Sequence, residues 1–276
     1  MSTPLRQVEW PIRAPCADRV SLGVHLSFLS AEWVEFCGWT GFEWLFLDAQ
    51  RTRLNPHLCC ELVRAASLVG MFCLVRVKSI NDPEIEGYLD TGVLGILAPN
   101  ISTAAQAQAL VAAVKFSPTG SRAAASRSRA ARYGLTQSPS KYYHEANEHT
   151  FCAALIETEA AINNIDSILT VPGLDYLAIG TNDLALSLGS HLGNADPRVR
   201  AMVEHVSERI QAAGKPQIAV AADADLVHTA AAQGACLIAV PDIDLVGRAA
   251  RSFLQIARRR ETMTSCTPSR SDCPAR

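Results

Sequence analysis

Two apolar runs in this chain stop abruptly at an acid: Ala-Leu-Ile-Glu at 154–157 and Ile-Gly-Thr-Asn-Asp-Leu at 179–184. A carboxylate at the end of a buried strand is costly unless a cation meets it. Glu157 and Asp183, at successive strand ends, therefore read as a shared divalent-metal site, with the remaining positions left to water and substrate. Oxygen-only donors of that kind suit Mg²⁺ or Mn²⁺, with Co²⁺ as a further candidate. A helix N-terminal charge at Glu157 and a helix N-cap at Asp183 are the competing roles. Other polar residues fall where apolar runs end: His25, then Asp48, Gln50 and Arg51, then Arg76, then Thr181 and Asn182. Arg76, in Leu-Val-Arg-Val, needs an anionic partner. A substrate carboxylate fits, and so does an ion pair with Asp48 or Asp90.

The elements that must carry these residues alternate in type. Strands are predicted over 20–26, 43–48, 71–77, 93–98, 151–156, 176–179, 217–221 and 236–240. Helices are predicted over 31–39, 56–69, 82–91, 103–115, 159–169, from 183, 197–213, 225–233 and 244–258. Pro56 suits a first helical turn, Gly92 a C-cap, and Asp244 an N-cap. Eight apolar strands alternating with helices imply a parallel sheet, and eight strands close a (β/α)₈ TIM barrel, whose sites form at the C-terminal strand ends. An open doubly wound sheet is disfavoured, because no G-x-G-x-x-G or P-loop follows any strand. The predicted organisation is a flexible arm over 1–18, one barrel domain over 19–260 and a disordered tail over 261–276. Residues 116–150 interrupt the rhythm with Arg127, Arg129 and Arg132 among alanines and serines. This insertion reads either as a solvated basic loop or as an anion-contacting lid.

Bulk composition excludes some classes. The 276 residues carry 25 basic and 27 acidic side chains, a formal net charge of −2, and 49% apolar residues. Nothing in that balance asks for a nucleic-acid or membrane partner. No transmembrane helix or apolar signal core is expected. The nine cysteines lack metal-ligand spacing and read as small buried hydrophobes in a reducing cytoplasm.

Six runs in order resemble the HpcH/HpaI aldolases, metal-dependent class II pyruvate aldolases of the phosphoenolpyruvate/pyruvate superfamily. Gly41–Asp48 resembles G-[FY]-D-W-x-x-[IL]-D. Val75-Arg76-Val77 with Asn81-Asp82-Pro83 resembles R-V…N-D-P. Leu89-Asp90-Thr91-Gly92 with Ala98-Pro99 resembles L-D-x-G-A…V-P. Ser117–Arg122 resembles Y-P-P-x-G-x-R, and the runs around Glu157 and Asp183 resemble I-E-[TS] and I-G-P-x-D-L. The resemblance implies that Glu157 and Asp183 bind the metal and that Arg76 touches the keto acid. Amides near Thr181, Asn182 and Asp183 would hold its carboxylate. Gln50 joins the substrate contacts, and Asp48 and Asp90 count among the catalytic candidates, Asp90 in a surface or supporting position. It further implies a homo-oligomer, trimeric or hexameric, with the C-terminal helix exchanged.

Three departures stand out: Ala49-Gln50-Arg51 replaces G-E-H, Leu155 replaces a glutamine, and Thr181 replaces a proline. Arginine stays protonated and cannot replace the customary histidine base. His25 is the substitute base, unless it is structural. A metal-bound hydroxide or a base-free decarboxylation are the other routes, with Arg51 as an added carboxylate clamp. The expected function is a carbon–carbon lyase acting on a 2-oxo acid. It would perform aldol cleavage or oxaloacetate-type decarboxylation through a divalent-metal-stabilised pyruvate enolate. A family member acting only as a binding or assembly protein, and a citrate-lyase-like acyl-CoA lyase, are the alternatives.

Overall fold

The computed structural model describes residues 19–264; the predicted arm over 1–18 and residues 265–276 of the predicted tail lie outside the described residues, whereas 261–264, predicted as disordered tail, continue the last helix. The strands are β1 (Ser21–Leu26), β2 (Trp44–Asp48), β3 (Phe72–Arg76), β4 (Gly95–Ala98), β5 (Phe151–Ile156), β6 (Tyr176–Ile179), β7 (Gln217–Val220) and β8 (Ala235–Pro241). The helices are α1 (Ala31–Trp39), α2 (Pro56–Leu68), α3 (Ile85–Thr91), α4 (Ala104–Val114), α5 (Pro139–His149), α6 (Glu159–Asn163), α7 (Ile165–Leu169), α8 (Thr181–Ser187), α9 (Pro197–Ala212), α10 (Ala224–Ala232) and α11 (Asp242–Thr264). The strands pair in chain order, β8 returns to β1, and the sheet is a closed parallel (β/α)₈ barrel, as expected.

Alternation along the strands sorts the side chains between two cores. Val24, Leu26, Leu45, Leu47, Val75, Ile96 and Ile156 face outward and pack beneath the helices. Trp44, Phe72, Phe151 and Tyr176 face inward and fill the lower barrel, with Phe46, Leu74, Leu97, Ala153 and Ala178 above them. The large rings need gaps: a Cβ on Gly23 would overlap the Trp44 indole, and one on Gly95 the Phe151 ring. One inward step further, the same columns end in His25, Asp48, Arg76, Glu157 and Gly180. The apolar filling thus stops below a polar layer at the C-terminal rim.

Side-chain caps start many helices, among them Asn55, Thr103, Thr158 and Asp223, and prolines 56, 139 and 197 occupy first turns. Several predicted boundaries shift. The helix expected from 82 begins at Ile85, because the Asp82 carboxylate accepts from the Lys78 and Glu84 amides and builds a turn. The helix expected over 159–169 breaks at Asn164 into α6 and α7. The last helix begins at Asp242 rather than at an Asp244 cap and runs to Thr264. Asp242 is fully buried and accepts from the Ser27 and Phe28 amides and the Trp33 indole.

The basic insertion is also repositioned. It follows α4, not a strand, and leads into the start of β5, so it lies at the N-terminal end of the barrel, away from the rim. It holds α5 and a small core of Phe116, Ala131 and Tyr142. Arg122 bonds Asp90 at 2.7 Å over the Phe116 ring, and Arg129 donates to the Thr91 carbonyl at 2.6 Å. Of the three arginines singled out in the insertion, Arg129 is thus occupied by the chain's own acceptor, and the segment lies at the end of the barrel away from this chain's rim. Among the cysteines, Cys37, Cys59, Cys60, Cys73 and Cys152 are free thiols, whereas Cys236 is disulfide-bonded, a departure from the all-thiol expectation.

Candidate active site

Asp48 and Arg76 end adjacent strands in direct register. Their side chains form a two-point pair, with Arg76 Nε donating to Asp48 Oδ1 at 3.0 Å and Nη2 to Oδ2 at 2.6 Å. The second Asp48 role is local: Oδ1 also accepts from the Gln50 and Arg51 amides at 3.0 and 3.2 Å, folding the β2–α2 turn. His25 Nε2 approaches Asp48 Oδ2 at 3.6 Å, a polar contact longer than a hydrogen bond. Burial pushes the Asp48 carboxyl up. The His25 and Arg76 contacts outweigh it and hold the group well below the usual carboxylate range. Phe46 is the platform for both partners. Its ring stacks on His25 with centroids 4.5 Å apart and lies 5.6 Å below the Arg76 guanidinium.

Across the mouth, β5 delivers Glu157 and the start of α8 delivers Asp183. Glu157 is 2% exposed, and its Oε1 accepts from the Asn100 amide at 2.8 Å. Burial raises its pKa, and the neighbouring Asp183 carboxyl, within hydrogen-bonding reach, raises it further against the Asn100 amide and the Arg76 charge. Gly180 makes this packing possible, since a Cβ there would stand 2.8 Å from both Glu157 Cβ and Oε2. Arg51 reaches over from the β2–α2 loop, its Nη2 3.5 Å from Asp183 Oδ1. Gln50 Oε1 is buried and has no hydrogen-bond partner among the described residues.

Thr181 and Asn182 open α8, which no side chain caps. Thr181 is half-buried, while Asn182 is exposed with its Oδ1 beside Gly193. The rim therefore gathers His25, Asp48, Gln50, Arg51, Arg76, Glu157, Thr181, Asn182 and Asp183. It does not gather Asp90. That residue occupies the last turn of α3, which leads down to the start of β4, and pairs with Arg122 at the opposite end of the barrel. Three contributors escaped the sequence reading. The Asn100 amide acts through the backbone, and its only signal is an asparagine after Pro99, here at φ 56, the left-handed region asparagine tolerates. Gly180 acts by lacking a side chain, and Phe46 resembles any other core aromatic.

The donor set can be tested against a dication. Two adjacent carboxylates, one buried with raised proton affinity, form a like-charge pair that a hard cation would neutralise. Among the described residues no third His, Cys, Asp or Glu joins them. The residues present therefore fit an ion bound by two carboxylates, with other positions left to water and substrate.

Comparison with known proteins agrees with this arrangement. The family profile described as HpcH/HpaI aldolase/citrate lyase matches residues 22–242. A 2-dehydro-3,6-dideoxy-6-sulfogluconate aldolase of Pseudomonas putida is 35% identical over 221 residues, covering 79% of this chain and 85% of its own length. A 4-hydroxy-2-oxovalerate aldolase of Rhodococcus jostii (strain RHA1) is 32% identical over 244 residues, 87% and 91% of the two chains. Among solved structures, an HpcH/HpaI aldolase/citrate lyase family protein from Burkholderia cenocepacia J2315 matches with a TM-score of 0.81 at 28% identity, covering 87% of this chain and 95% of its own. With that coverage and a closed parallel barrel, the chain belongs to the HpcH/HpaI aldolase/citrate lyase family.

Proposed function

We propose that this lyase acts on a 2-oxo acid, breaking or forming the carbon–carbon bond next to its enolisable carbon. The observation that carries the reading is the juxtaposition, at one barrel mouth, of a fixed guanidinium and a like-charged carboxylate pair. Glu157 and Asp183 would hold the divalent cation, Mg²⁺ or Mn²⁺ before Co²⁺. Such a cation, when bound, draws electron density from the 2-oxo oxygen. Arg76, kept rigid by Asp48 and Phe46, binds the keto-acid end and stabilises the negative charge that develops there. The amides of Thr181, Asn182 and Asp183 support its carboxylate. His25 carries the proton. Asp48 orients its Nε2, and no partner among the described residues takes Nδ1, which is free to accept the substrate hydroxyl proton.

The same reading takes the protein to be a homo-oligomer, trimeric or hexameric, that exchanges its last helix. Its support is the apolar surface left on α11, where Ile243, Val246, Phe253, Leu254 and Ile256 are all exposed. No helix among the described residues is long and apolar enough to cross a membrane. The five free thiols support a cytoplasmic setting, with the Cys236 disulfide as the exception.

The test is pyruvate release from 4-hydroxy-2-oxo acids by the purified protein with Mn²⁺ or Mg²⁺, and its loss in Glu157→Gln and Asp183→Asn. Full activity in either variant refutes the assignment of the carboxylates. Absence of both aldol cleavage and oxaloacetate decarboxylation with every divalent ion refutes the lyase reading and favours a binding protein.

A further inference from the structure

The two arginines of the rim are in different states. Arg76 is committed, with two bonds to Asp48 and a side chain only 15% exposed. Arg51 is held by its backbone and left open at its tip. Its amide bonds Asp48 Oδ1, and the Thr52 hydroxyl, bonded to the Asp48 carbonyl, closes the same turn onto the Leu54 amide. Its side chain is 61% exposed, and among the described residues the single contact of its guanidinium is the 3.5 Å approach to Asp183. A planar five-donor fork on a fixed stem, unsatisfied and facing the mouth, matches a carboxylate. Asp183 is a poor permanent partner, because its oxygens also face Glu157.

We propose that Arg51 determines specificity for the leaving half of the substrate, by binding an anionic group on the aldehyde end of a 4-hydroxy-2-oxo acid. The inference rests on the lyase reading above. In the step concerned, His25 takes the C4 hydroxyl proton and the C3–C4 bond breaks. C4 becomes the carbonyl carbon of the departing aldehyde, and the electron pair passes to the enolate of pyruvate. A proton returned to C3 completes pyruvate. No bond to the remote anionic group changes, so Arg51 can hold it from substrate to product. Oxaloacetate decarboxylation is different. The distal carboxylate itself leaves as uncharged CO₂, and a guanidinium on it would favour the reactant over the transition state. The position of Arg51 therefore selects anionic aldehydes over CO₂ as the leaving group.

The experiment compares pyruvate condensation with glyoxylate and with acetaldehyde, using the full chain with Mn²⁺. The wild type should favour glyoxylate in kcat/KM. In Arg51→Gln the glyoxylate-to-acetaldehyde ratio should fall ten- to hundredfold, mainly through the KM for glyoxylate, and Arg51→Lys should restore part of it. Thermal unfolding of both variants checks that the fold is kept, and Arg51→Lys carries the test if Arg51→Gln does not fold. A ratio unchanged in a folded variant overturns the proposal, and so does oxaloacetate decarboxylation that slows when Arg51 is replaced. Activity on both aldehydes without dependence on Arg51 sinks this inference alone, whereas no turnover of any of these substrates sinks the lyase reading beneath it.

Discussion

Asp48→Asn offers a sharp test of how the rim is held. Asp48 is 1% exposed, and its carboxylate accepts four hydrogen bonds: both arms of Arg76 and the amides of Gln50 and Arg51. Asparagine keeps the shape and one acceptor, enough for Nε and the turn amides. It places an NH₂ where Oδ2 met Nη2 at 2.6 Å, so two donors face each other and the Arg76 charge loses its counter-ion. Removing one partner of a buried pair costs about 3–5 kcal/mol, and the retained acceptor brings the expectation to about 3 kcal/mol. Urea denaturation at pH 7 measures it. The pH dependence has a definite sign. The folded-state pKa of Asp48 is lowered, so its contribution is complete above the unfolded value near 4 and disappears only as pH falls below that. Wild type and variant should differ by a constant amount from pH 5 to 8 and converge in acid. The misaligned guanidinium should also lower kcat/KM about a hundredfold. A stability loss under about 1 kcal/mol together with unaltered kcat/KM would show that the Asp48–Arg76 pair neither braces the rim nor positions the arginine.

Two further outcomes bear on the carboxylate pair. Glu157 has a raised pKa, so its ionised form penalises the fold at neutral pH and the penalty vanishes as pH falls below the unfolded value. Metal-free Glu157→Gln should therefore melt higher than metal-free wild type at pH 7.5, with the gap closing toward pH 4.5. Mn²⁺ at about 100 times its Kd should raise the wild-type melting temperature by about 5–10 °C and leave Glu157→Gln nearly unmoved; equal shifts in scanning calorimetry contradict the ligand role. Gly180→Ala would set a methyl 2.8 Å from Glu157 Oε2, and calorimetric titration should show Mn²⁺ affinity ten- to hundredfold weaker. An unchanged Kd means that Glu157 has room the structure does not show.

Most of the barrel was legible because buried parallel strands announce themselves as unbroken apolar runs. Phe151–Ile156 is buried at every position, and both its ends were predicted. The polar rim was legible for the same reason, since an acid or base after such a run stands out. What was lost depended on distant partners. Asp242 and Asp244 are equal as helix starts in local sequence, and only bonds from Ser27, Phe28 and Trp33 choose between them. Helix α5 lies in a stretch rich in Ser, Arg and Ala whose apolar anchors, Tyr142 and Phe116, are 26 residues apart. Asp90, a candidate by its motif, ends a barrel helix and so lies away from this chain's own rim, which the ends of the strands reach.

The aromatic filling of the lower barrel has a kinetic consequence. With Trp44, Phe72, Phe151 and Tyr176 filling the lower barrel, a ligand at the rim would come and go by the mouth, and whatever binds deepest would enter first and depart last. On the proposed reading a keto acid on Arg76 would lie beneath the aldehyde, so the aldehyde would have to clear the threshold before pyruvate could follow. Pyruvate should then compete directly with the incoming hydroxy acid, while the aldehyde inhibits without competing.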